Sequence, residues 1–231
     1  MLKPVPKPKC ITFDCYGTLV QWHRALQTAV ATILADRNDA AGSNVRGMVD
    51  ALRALCTEQQ DRAPYRDYKT ILRSSLAEVL ARHDLSPRDT DGETLLSFVR
   101  DIPPHPEVPA ALERLRAQFR LAIISNTDDD LIAGTVALIG VPIDFVVTAQ
   151  QARAYKPDHR LFHHAHAVIG VRPEETVHVA MGQVTDLKVC RELRIRAVWV
   201  DRLGEPLNPE WAPDAALPDL SCLPELLAPR L

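Results

Sequence analysis

The chain of 231 residues predicts an α/β fold in which a doubly wound parallel sheet carries an inserted helical cap. Two patterns support this prediction. From Pro103 onward, short apolar runs typical of strands alternate with segments of helical periodicity, whereas the preceding region shows helical periodicity alone. Strands that are separated by helices pair in parallel through right-handed crossovers. We therefore expect a Rossmann-like core formed by residues 1–19 and 99–231 and a helical cap formed by residues 20–98.

The first predicted strand is the apolar run from Cys10 to Asp14. Three groups of apolar side chains then recur at helical spacing, and we expect each group to form the buried face of one cap helix. The three faces are Trp22, Leu26, Val30, Ile33 and Leu34; Val45, Met48, Val49, Leu52, Leu55 and Cys56; and Tyr68, Ile71, Leu72, Leu76, Val79 and Leu80. No strand is predicted between these helices, which indicates an insert after the first strand.

The alternating region predicts four more strands and the helices that connect them. The predicted strands are Leu121 to Ser125, Phe145 to Thr148, Val177 to Ala180 and, as the last of the sheet, Ala197 to Val200. The predicted helices lie near Val108 to Gln118, Asp130 to Ile139, His159 to Ile169 and Asp186 to Leu193. Six prolines within residues 203–231 predict turns, with a short helix near Leu223 to Leu227.

Composition narrows the possible partners and the location of the protein. Hydrophobic residues make up 46% of the chain, charged residues make up 25%, and the net charge is −3, so nothing favours nucleic acid or an anionic membrane as a partner. No apolar run approaches the roughly 20 residues of a membrane span, and the Pro- and Lys-rich start lacks the apolar core of a signal peptide. We expect a cytoplasmic protein with a small-molecule substrate. The five cysteines show no paired metal-ligand spacing, so no zinc site is expected.

Chemically capable residues follow the predicted strands in four places. The first strand stops at a single carboxylate, Asp14, which is followed by a glycine turn. The other three places are Ser125-Asn126, Tyr155-Lys156-Pro157 and the loop from Met181 to Asp186. In a doubly wound sheet the carboxyl ends of the strands open on one crevice, where ligands bind. We therefore expect these four segments to form one site.

In this order and spacing the four segments resemble the haloacid dehalogenase superfamily, whose pattern is a nucleophilic Asp, a Ser or Thr, a Lys and a terminal acid, with a helical cap after the first strand. The resemblance covers nearly the whole chain. Within that superfamily, three motifs look most like type II 2-haloacid dehalogenases: Phe13-Asp14-Cys15-Tyr16-Gly17-Thr18-Leu19, Ile124-Ser125-Asn126 and Tyr155-Lys156-Pro157-Asp158. The resemblance implies a hydrolase that displaces halide from C2 of a small 2-haloalkanoic acid through an aspartyl ester and releases a 2-hydroxy acid. It also implies a possible homodimer and no cofactor.

The chemistry of the residues agrees with these implied roles. Asp14, with an ordinary pKa of about 4, is ionised at neutral pH and can attack an electrophilic carbon. Lys156 would keep it charged and would offset its repulsion from an anionic substrate. Hydroxyl and amide groups can donate to carboxylate oxygens or to the leaving halide. The predicted catalytic residues are Asp14, Thr18, Ser125, Lys156 and Asp186, and the predicted substrate-binding residues are Tyr16 and Asn126.

Tyr16 argues against phosphate transfer and Met181 argues against a metal. Phosphatases of the superfamily resemble one another in an Asp two residues after the nucleophile, which protonates the leaving oxygen, whereas a halide needs no proton to leave. A tyrosine with a pKa of about 10 cannot replace that acid. Met181 stands where phosphatase relatives carry an acid, so only Asp14 and Asp186 remain as carboxylate candidates for a hard cation. We expect metal-independent chemistry.

Several alternatives stay open at this point. A hydrolase with the same chemistry could displace the amine of a strained ring, as in azetidine-2-carboxylate. The chain could also be a phosphatase or a non-catalytic binding protein. Met181 and Gly182 support the last class, because they replace the serine and asparagine that help place the hydrolytic water in type II dehalogenases; Thr185, Gln183 or backbone groups could serve instead. Asp186 could be a purely structural residue at a helix start. The substrate carboxylate could bind Arg46, Arg53, Arg62 or Arg66.

Two clusters of metal-ligand residue types have simpler interpretations. The run Asp128-Asp129-Asp130 predicts the acidic first turn of a helix rather than a metal cluster. His163, His164 and His166 cannot all share one helical face, which favours surface or core histidines. Neither cluster is expected to bind a metal.

Overall fold

The computed structural model describes residues 7–37 and 44–228, which form two compact units. The first unit comprises residues 7–20, 104–126 and 139–228 and contains the sheet. The second comprises residues 21–37, 44–103 and 127–138 and is helical. The seven predicted catalytic and substrate-binding residues, from Asp14 to Asp186, belong to the first unit, whereas the four candidate arginines belong to the second.

The first unit is built on a six-stranded parallel sheet. Its strands are β1 (Cys10–Phe13), β2 (Arg120–Ser125), β3 (Phe145–Thr148), β4 (Thr176–Ala180), β5 (Arg196–Val200) and β6 (Ala215–Leu217). Their order is β3-β2-β1-β4-β5-β6, so β2 and β3 lie on one side of β1 and the later strands lie on its other side. In such sheets the ligand crevice lies at the carboxyl ends of the strands, where the order reverses. The predicted fold class, a doubly wound Rossmann-like sheet, is confirmed.

Ten α-helices lie within the described residues. They are α1 (Trp22–Ala35), α2 (Val45–Gln60), α3 (Tyr68–Arg82), α4 (Asp89–Arg100), α5 (Val108–Arg116), α6 (Asp129–Ile139), α7 (Ala149–Ala152), α8 (His159–Ile169), α9 (Lys188–Leu193) and α10 (Leu223–Leu227). In the first unit α5 packs on β2, α8 packs on β2 and β3, and α9 packs on β5. The central strand β1 is fully buried, as expected for a strand covered on both faces.

Several elements differ from the prediction, among them β6, α4 and the four-residue helix α7. The strand at β5 was expected to be the last, but β6 follows it and pairs in parallel with it. Only three residues form β6, and such a short segment shows no period that could identify it. Helix α4 was not predicted either, because its first half is polar and its buried apolar residues, Leu95, Leu96 and Val99, occupy only its second half.

The second unit is a bundle in which α1 packs on α2 and α4, and α3 packs on α2 and α4. The predicted apolar faces of α1, α2 and α3 are its buried faces, except that Val45, at the start of α2, is only partly buried. Asp129 and Asp130 lie in the first turn of α6, as predicted. Asp128 is fully buried, and its two carboxylate oxygens accept hydrogen bonds from the backbone N–H groups of Tyr68 and Lys69. No helix within the described residues is both long and apolar enough to cross a bilayer.

Candidate active site

The predicted site residues converge at the carboxyl ends of β1, β2 and β4. Asp14 directly follows β1, and its backbone N–H donates to Val179 of β4 at 3.0 Å, which extends the sheet pairing to the carboxylate itself. Ser125 ends β2. Asp186 lies in a π-helical turn, Gln183–Leu187, that leads from β4 into α9. Buried strands therefore hold the predicted catalytic groups at one edge of the sheet.

Lys156 joins the two predicted acids. Its Nζ donates to Asp14 Oδ1 at 2.8 Å, to Asp186 Oδ1 at 2.6 Å and to the carbonyl oxygen of Ile124 at 3.1 Å. These three contacts use all three N–H bonds of the ammonium group. Lys156 is 2% exposed and Asp186 is 1% exposed, whereas Asp14 is 8% exposed. Asp14 is therefore the member of the triad that a substrate can reach.

Burial and pairing set the charge states of this triad. Burial raises the pKa of Asp14 above its ordinary value, and the charge of Asp186 adds to this effect, although Lys156 and Thr18 oppose it. Burial also acts to raise the pKa of Asp186, but Lys156 and His178 outweigh it and hold that pKa well below its usual range. Burial opposes the charge of Lys156, yet the two carboxylates raise its pKa. The ammonium and Asp186 thus stay charged at neutral pH, and Asp186 is a weak base.

The turn after β1 orients the second oxygen of Asp14. Thr18 Oγ1 donates to Asp14 Oδ2 at 2.6 Å and accepts from the backbone N–H of Met181 at 2.9 Å. The carbonyl oxygen of Thr18 accepts from Nε and Nη2 of Arg202, at 3.2 and 2.8 Å. Gly17 has φ +94°, and a Cβ there would lie 2.4 Å from the sulfur of Met181. The positive φ requires glycine here, and a Cβ would in addition displace the Met181 side chain.

Asn126 is engaged by the lysine loop. Its Nδ2 donates to the carbonyl oxygen of Lys156 at 2.9 Å, and its Oδ1 accepts from the Lys156 N–H at 2.7 Å. This reciprocal pair positions the lysine backbone, a function that the sequence alone did not suggest. The substrate contact predicted for Asn126 stays a prediction.

Ser125 and Tyr16 differ in exposure. Ser125 Oγ is buried and makes no hydrogen bond within the described residues, so its hydroxyl is an available donor. Tyr16 is partly exposed in the turn after Asp14 and forms a bridge with Val20. The position two residues after the predicted nucleophile is thus occupied by Tyr16 and not by an Asp or a Glu.

Sequence reasoning missed His178, which contacts Asp186. His178 Nε2 lies 2.9 Å from Asp186 Oδ1, and Thr185 Oγ1 donates to Asp186 Oδ2 at 2.6 Å. The signal available in the sequence was a single histidine inside the apolar strand β4. Of the groups proposed to place water, Gln183 is engaged elsewhere, because its amide donates to Pro206 and accepts from Asn208.

A divalent cation does not fit this donor set. The two carboxylates share one ammonium group, and a cation between them would meet its positive charge. Met181 supplies a thioether in the fourth loop, which is a poor ligand for magnesium. Throughout residues 7–37 and 44–228, no three His, Cys, Asp or Glu side chains are grouped so that they could hold a metal ion.

Comparison with known proteins identifies the family. The family of haloacid dehalogenase-like hydrolases matches residues 8–180. The chain belongs to this family. Among curated proteins it is 26% identical over 216 residues to (S)-2-haloacid dehalogenase 4A of Burkholderia cepacia, covering 89% of this chain and 88% of that protein. It is also 36% identical over 124 residues to a phosphoserine phosphatase of Thermus thermophilus, covering 52% of this chain and 50% of that protein.

Among solved structures, the L-2-haloacid dehalogenase from Xanthobacter autotrophicus with chloropropionic acid covalently bound is similar in fold. It has a TM-score of 0.81 and is 23% identical, over 95% of this chain and 98% of that chain. At this level of identity the likeness concerns the fold alone. The family and the fold together agree with the motif pattern of the sequence.

Proposed function

We propose that this family member is a metal-independent 2-haloacid dehalogenase, which converts a small 2-haloalkanoic acid into a 2-hydroxy acid. The observation that carries the proposal is the partly reachable carboxylate of Asp14, paired at 2.8 Å with the buried ammonium of Lys156 and followed by Tyr16 instead of an acid. This arrangement supplies an oriented nucleophile and no general acid for an oxygen leaving group. The dehalogenase of Burkholderia cepacia, which is matched over most of both chains, supports the same reaction.

In the first step a carboxylate oxygen of Asp14 attacks C2 of the substrate. A carbon–oxygen bond forms while the carbon–halogen bond breaks, and the halide leaves with the bonding electron pair, so that the configuration at C2 inverts. Lys156 offsets the repulsion between Asp14 and the substrate carboxylate. The available hydroxyl of Ser125 is positioned at the same sheet edge to donate to an anionic oxygen.

In the second step water attacks the carbonyl carbon of the Asp14 ester. The bond between that carbon and the ester oxygen breaks, the 2-hydroxy acid leaves with one proton of the water, and the other proton goes to solvent as the Asp14 carboxylate is restored. The lowered pKa of Asp186 makes it a poor proton acceptor, so its part is to hold Lys156. Thr185 Oγ1, which donates to Asp186, keeps its lone pairs for water.

Halide release tests the proposal directly. Purified protein with 2-chloropropionate or fluoroacetate should release halide in the presence of a chelator, and Asp14→Asn should abolish release. Asp219→Asn is the matched control, because Asp219 is a partly exposed residue that caps a turn by accepting from the N–H of Ser221. In a single turnover in ¹⁸O-labelled water, the label should enter Asp14 and not the product. Halide yield equal to that of the blank would overturn the halogen version.

Two other reactions are arms of the same experiment. Azetidine-2-carboxylate tests a strained amine as the leaving group, with the same Asp14 chemistry. Phosphoserine with magnesium tests the phosphatase alternative, which the 36% identity to the Thermus thermophilus phosphatase over half of the chain favours. Turnover of phosphoserine that stops on chelation would overturn the metal-independent assignment.

We further propose that the enzyme is a cytoplasmic homodimer. The family resemblance supports the homodimer, and the cytoplasmic location follows the expectation from the sequence. Sedimentation at micromolar concentration should give twice the mass of one chain, and the mass of a single chain would contradict the dimer. Fractionation of the native cells should recover the protein with soluble cytoplasmic markers.

A further inference from the structure

A buried histidine lies directly behind the ionic triad. His178, in the middle of β4, is fully buried. Its Nε2 lies 2.9 Å from Asp186 Oδ1, and its Nδ1 lies 2.8 Å from Thr12 Oγ1 on β1. The ring of Phe162 packs against it edge to face, with ring centroids 5.1 Å apart. Packing and hydrogen bonds therefore hold the imidazole in one orientation.

The partners of the ring determine which nitrogen carries a proton. Asp186 is ionised and can only accept, so Nε2 must be the donor. Nδ1 lies 2.8 Å from Thr12 Oγ1, a hydroxyl that can donate or accept, so both ring nitrogens have a partner. A histidine held in this way acts as a fixed donor toward Asp186.

Three donors share the carboxylate of Asp186 unequally. Oδ1 accepts from both His178 Nε2 and Lys156 Nζ, while Oδ2 accepts from Thr185. Without His178, Oδ1 would lose the one contact that comes from the interior of the sheet. The carboxylate could then rotate about its Cβ–Cγ bond, and Lys156 would move with it, away from its 2.8 Å contact with Asp14.

We propose that His178 is a positioning residue, which acts through Asp186 to hold the Lys156 ammonium against the nucleophile Asp14. The inference rests on the proposed function, and it adds a residue that touches neither substrate nor the reacting atoms. Its effect belongs in kcat, because Lys156 must be placed in both half-reactions. The KM should change little, since no contact of His178 reaches the open side of the site.

Two substitutions separate positioning from packing. The side-chain nitrogen of glutamine lies as far along the chain as imidazole Nε2, so His178→Gln keeps a donor for Asp186. The amide of asparagine reaches only as far as Nδ1, so His178→Asn keeps polarity and loses that donor. We expect His178→Asn to lower kcat about 10- to 100-fold and His178→Gln to stay within about threefold of wild type, with KM within about threefold in both.

His166→Asn is the matched control. His166 is also buried, and its ring contacts the carbonyl oxygen of Phe162 at 2.8 Å and Thr176 Oγ1 at 3.3 Å, away from the triad. We expect it to lose thermal stability and to keep the wild-type kcat. Equal kcat losses for Asn and Gln at position 178, or a comparable loss for His166→Asn, would overturn the positioning role.

A readout independent of activity separates this inference from the proposed function. The hydrogen-bonded Nε2–H of His178 should give a slowly exchanging downfield proton resonance, which His178→Asn removes and Asp186→Asn shifts. Absence of that resonance, or no shift in Asp186→Asn, would overturn the inference. A wild-type protein that shows the resonance and releases no halide would overturn the proposed dehalogenase and leave the contact between His178 and Asp186 standing.

Discussion

Lys156 is the residue that connects the charges of the site. It lies between two carboxylates and is itself almost fully buried, so each member of the triad depends on the others for its charge. Taking charges out of water costs several kcal/mol per ion, and good geometry must offset that cost. Removing one partner of such a cluster leaves the remaining charges buried and uncompensated.

Lys156→Met should abolish halide release and lower the free energy of unfolding by about 3–5 kcal/mol, because two buried carboxylates would then face each other. Methionine keeps an unbranched stem of similar length, so the change removes mainly the charge. Urea unfolding at neutral pH measures the loss.

Lys69→Met is the matched control for this substitution. Lys69 Nζ pairs with Asp130 Oδ1 at 2.7 Å, but the two side chains are 24% and 53% exposed. An exposed pair of this kind contributes about 0–1 kcal/mol. Equal losses for the two lysines would show that burial of the Lys156 cluster does not set its contribution to stability.

Residue identities at the site were predictable where a motif carries them. Asp14, Lys156 and Asp186 follow strands in a recognisable order, and the structure brings them within hydrogen-bond distance. The role of His178 was not predictable, because the sequence does not show that this strand histidine lies beside Asp186. The same holds for the pairing of Asn126 with the lysine backbone, which joins residues 30 positions apart.

At the scale of elements, the N-terminus of α3 is held from outside its own sequence. Asp67 is its N-cap and accepts from the N–H of Thr70 at 2.8 Å. Asp128 accepts from the N–H groups of Tyr68 and Lys69, both at 2.9 Å. Two carboxylates thus satisfy the free donors at the positive end of one helix.

Asp128→Asn should lower the free energy of unfolding by about 1.5–3 kcal/mol, because the amide replaces one acceptor by a donor that faces a backbone N–H in a buried position. Asp67→Asn should change it by less than about 0.5 kcal/mol, since asparagine caps helices as well as aspartate does. Thermal or urea unfolding of both variants measures the difference. Similar effects at the two positions would contradict the specific role of Asp128.

Strand and helix positions were predictable where periodicity is strong. The strand Phe145–Thr148 and the helix His159–Ile169 have the predicted limits, since each is a clear run of apolar or amphipathic spacing. The π-helical turn Gln183–Leu187 replaces the end of a predicted loop and the first residues of an ordinary helix that was predicted to begin at Asp186. Its wider turn has no sequence signature of its own, although it is the element that places Asp186.

At the scale of the whole molecule, the triad links stability to pH in two opposite ways. The folded-state pKa of Asp14 is raised, so the folded state binds more protons than the unfolded state between about pH 4 and that raised value, and stability grows as pH falls there. The folded-state pKa of Asp186 is lowered, so the stability it contributes is present above about pH 4 and is lost as pH falls further.

In Asp14→Asn, the free energy of unfolding should therefore lack the increase that Asp14 gives as the pH falls toward about 4. In Asp186→Asn, it should lack the decrease that protonation of Asp186 gives as the pH falls below about 4. Each group changes the slope by at most about 1.4 kcal/mol per pH unit. Urea unfolding from neutral pH to about pH 2.5 measures both curves, with the exposed Asp36→Asn as the control. Identical slopes in the two site variants would contradict the assigned shifts.

The sequence by itself determined the fold class and the order of the first five strands along the chain, and it predicted the residues that would carry the chemistry. The spacing of apolar residues predicts which segments form helices or strands with a buried face. Short motifs predict which polar side chains lie at the carboxyl ends of the strands. Only the tertiary structure decided which side chains share a hydrogen bond. The pairing of His178 with Asp186, of Asn126 with the Lys156 backbone and of Asp128 with α3 depends on distances between separate segments of the chain, which no local pattern records.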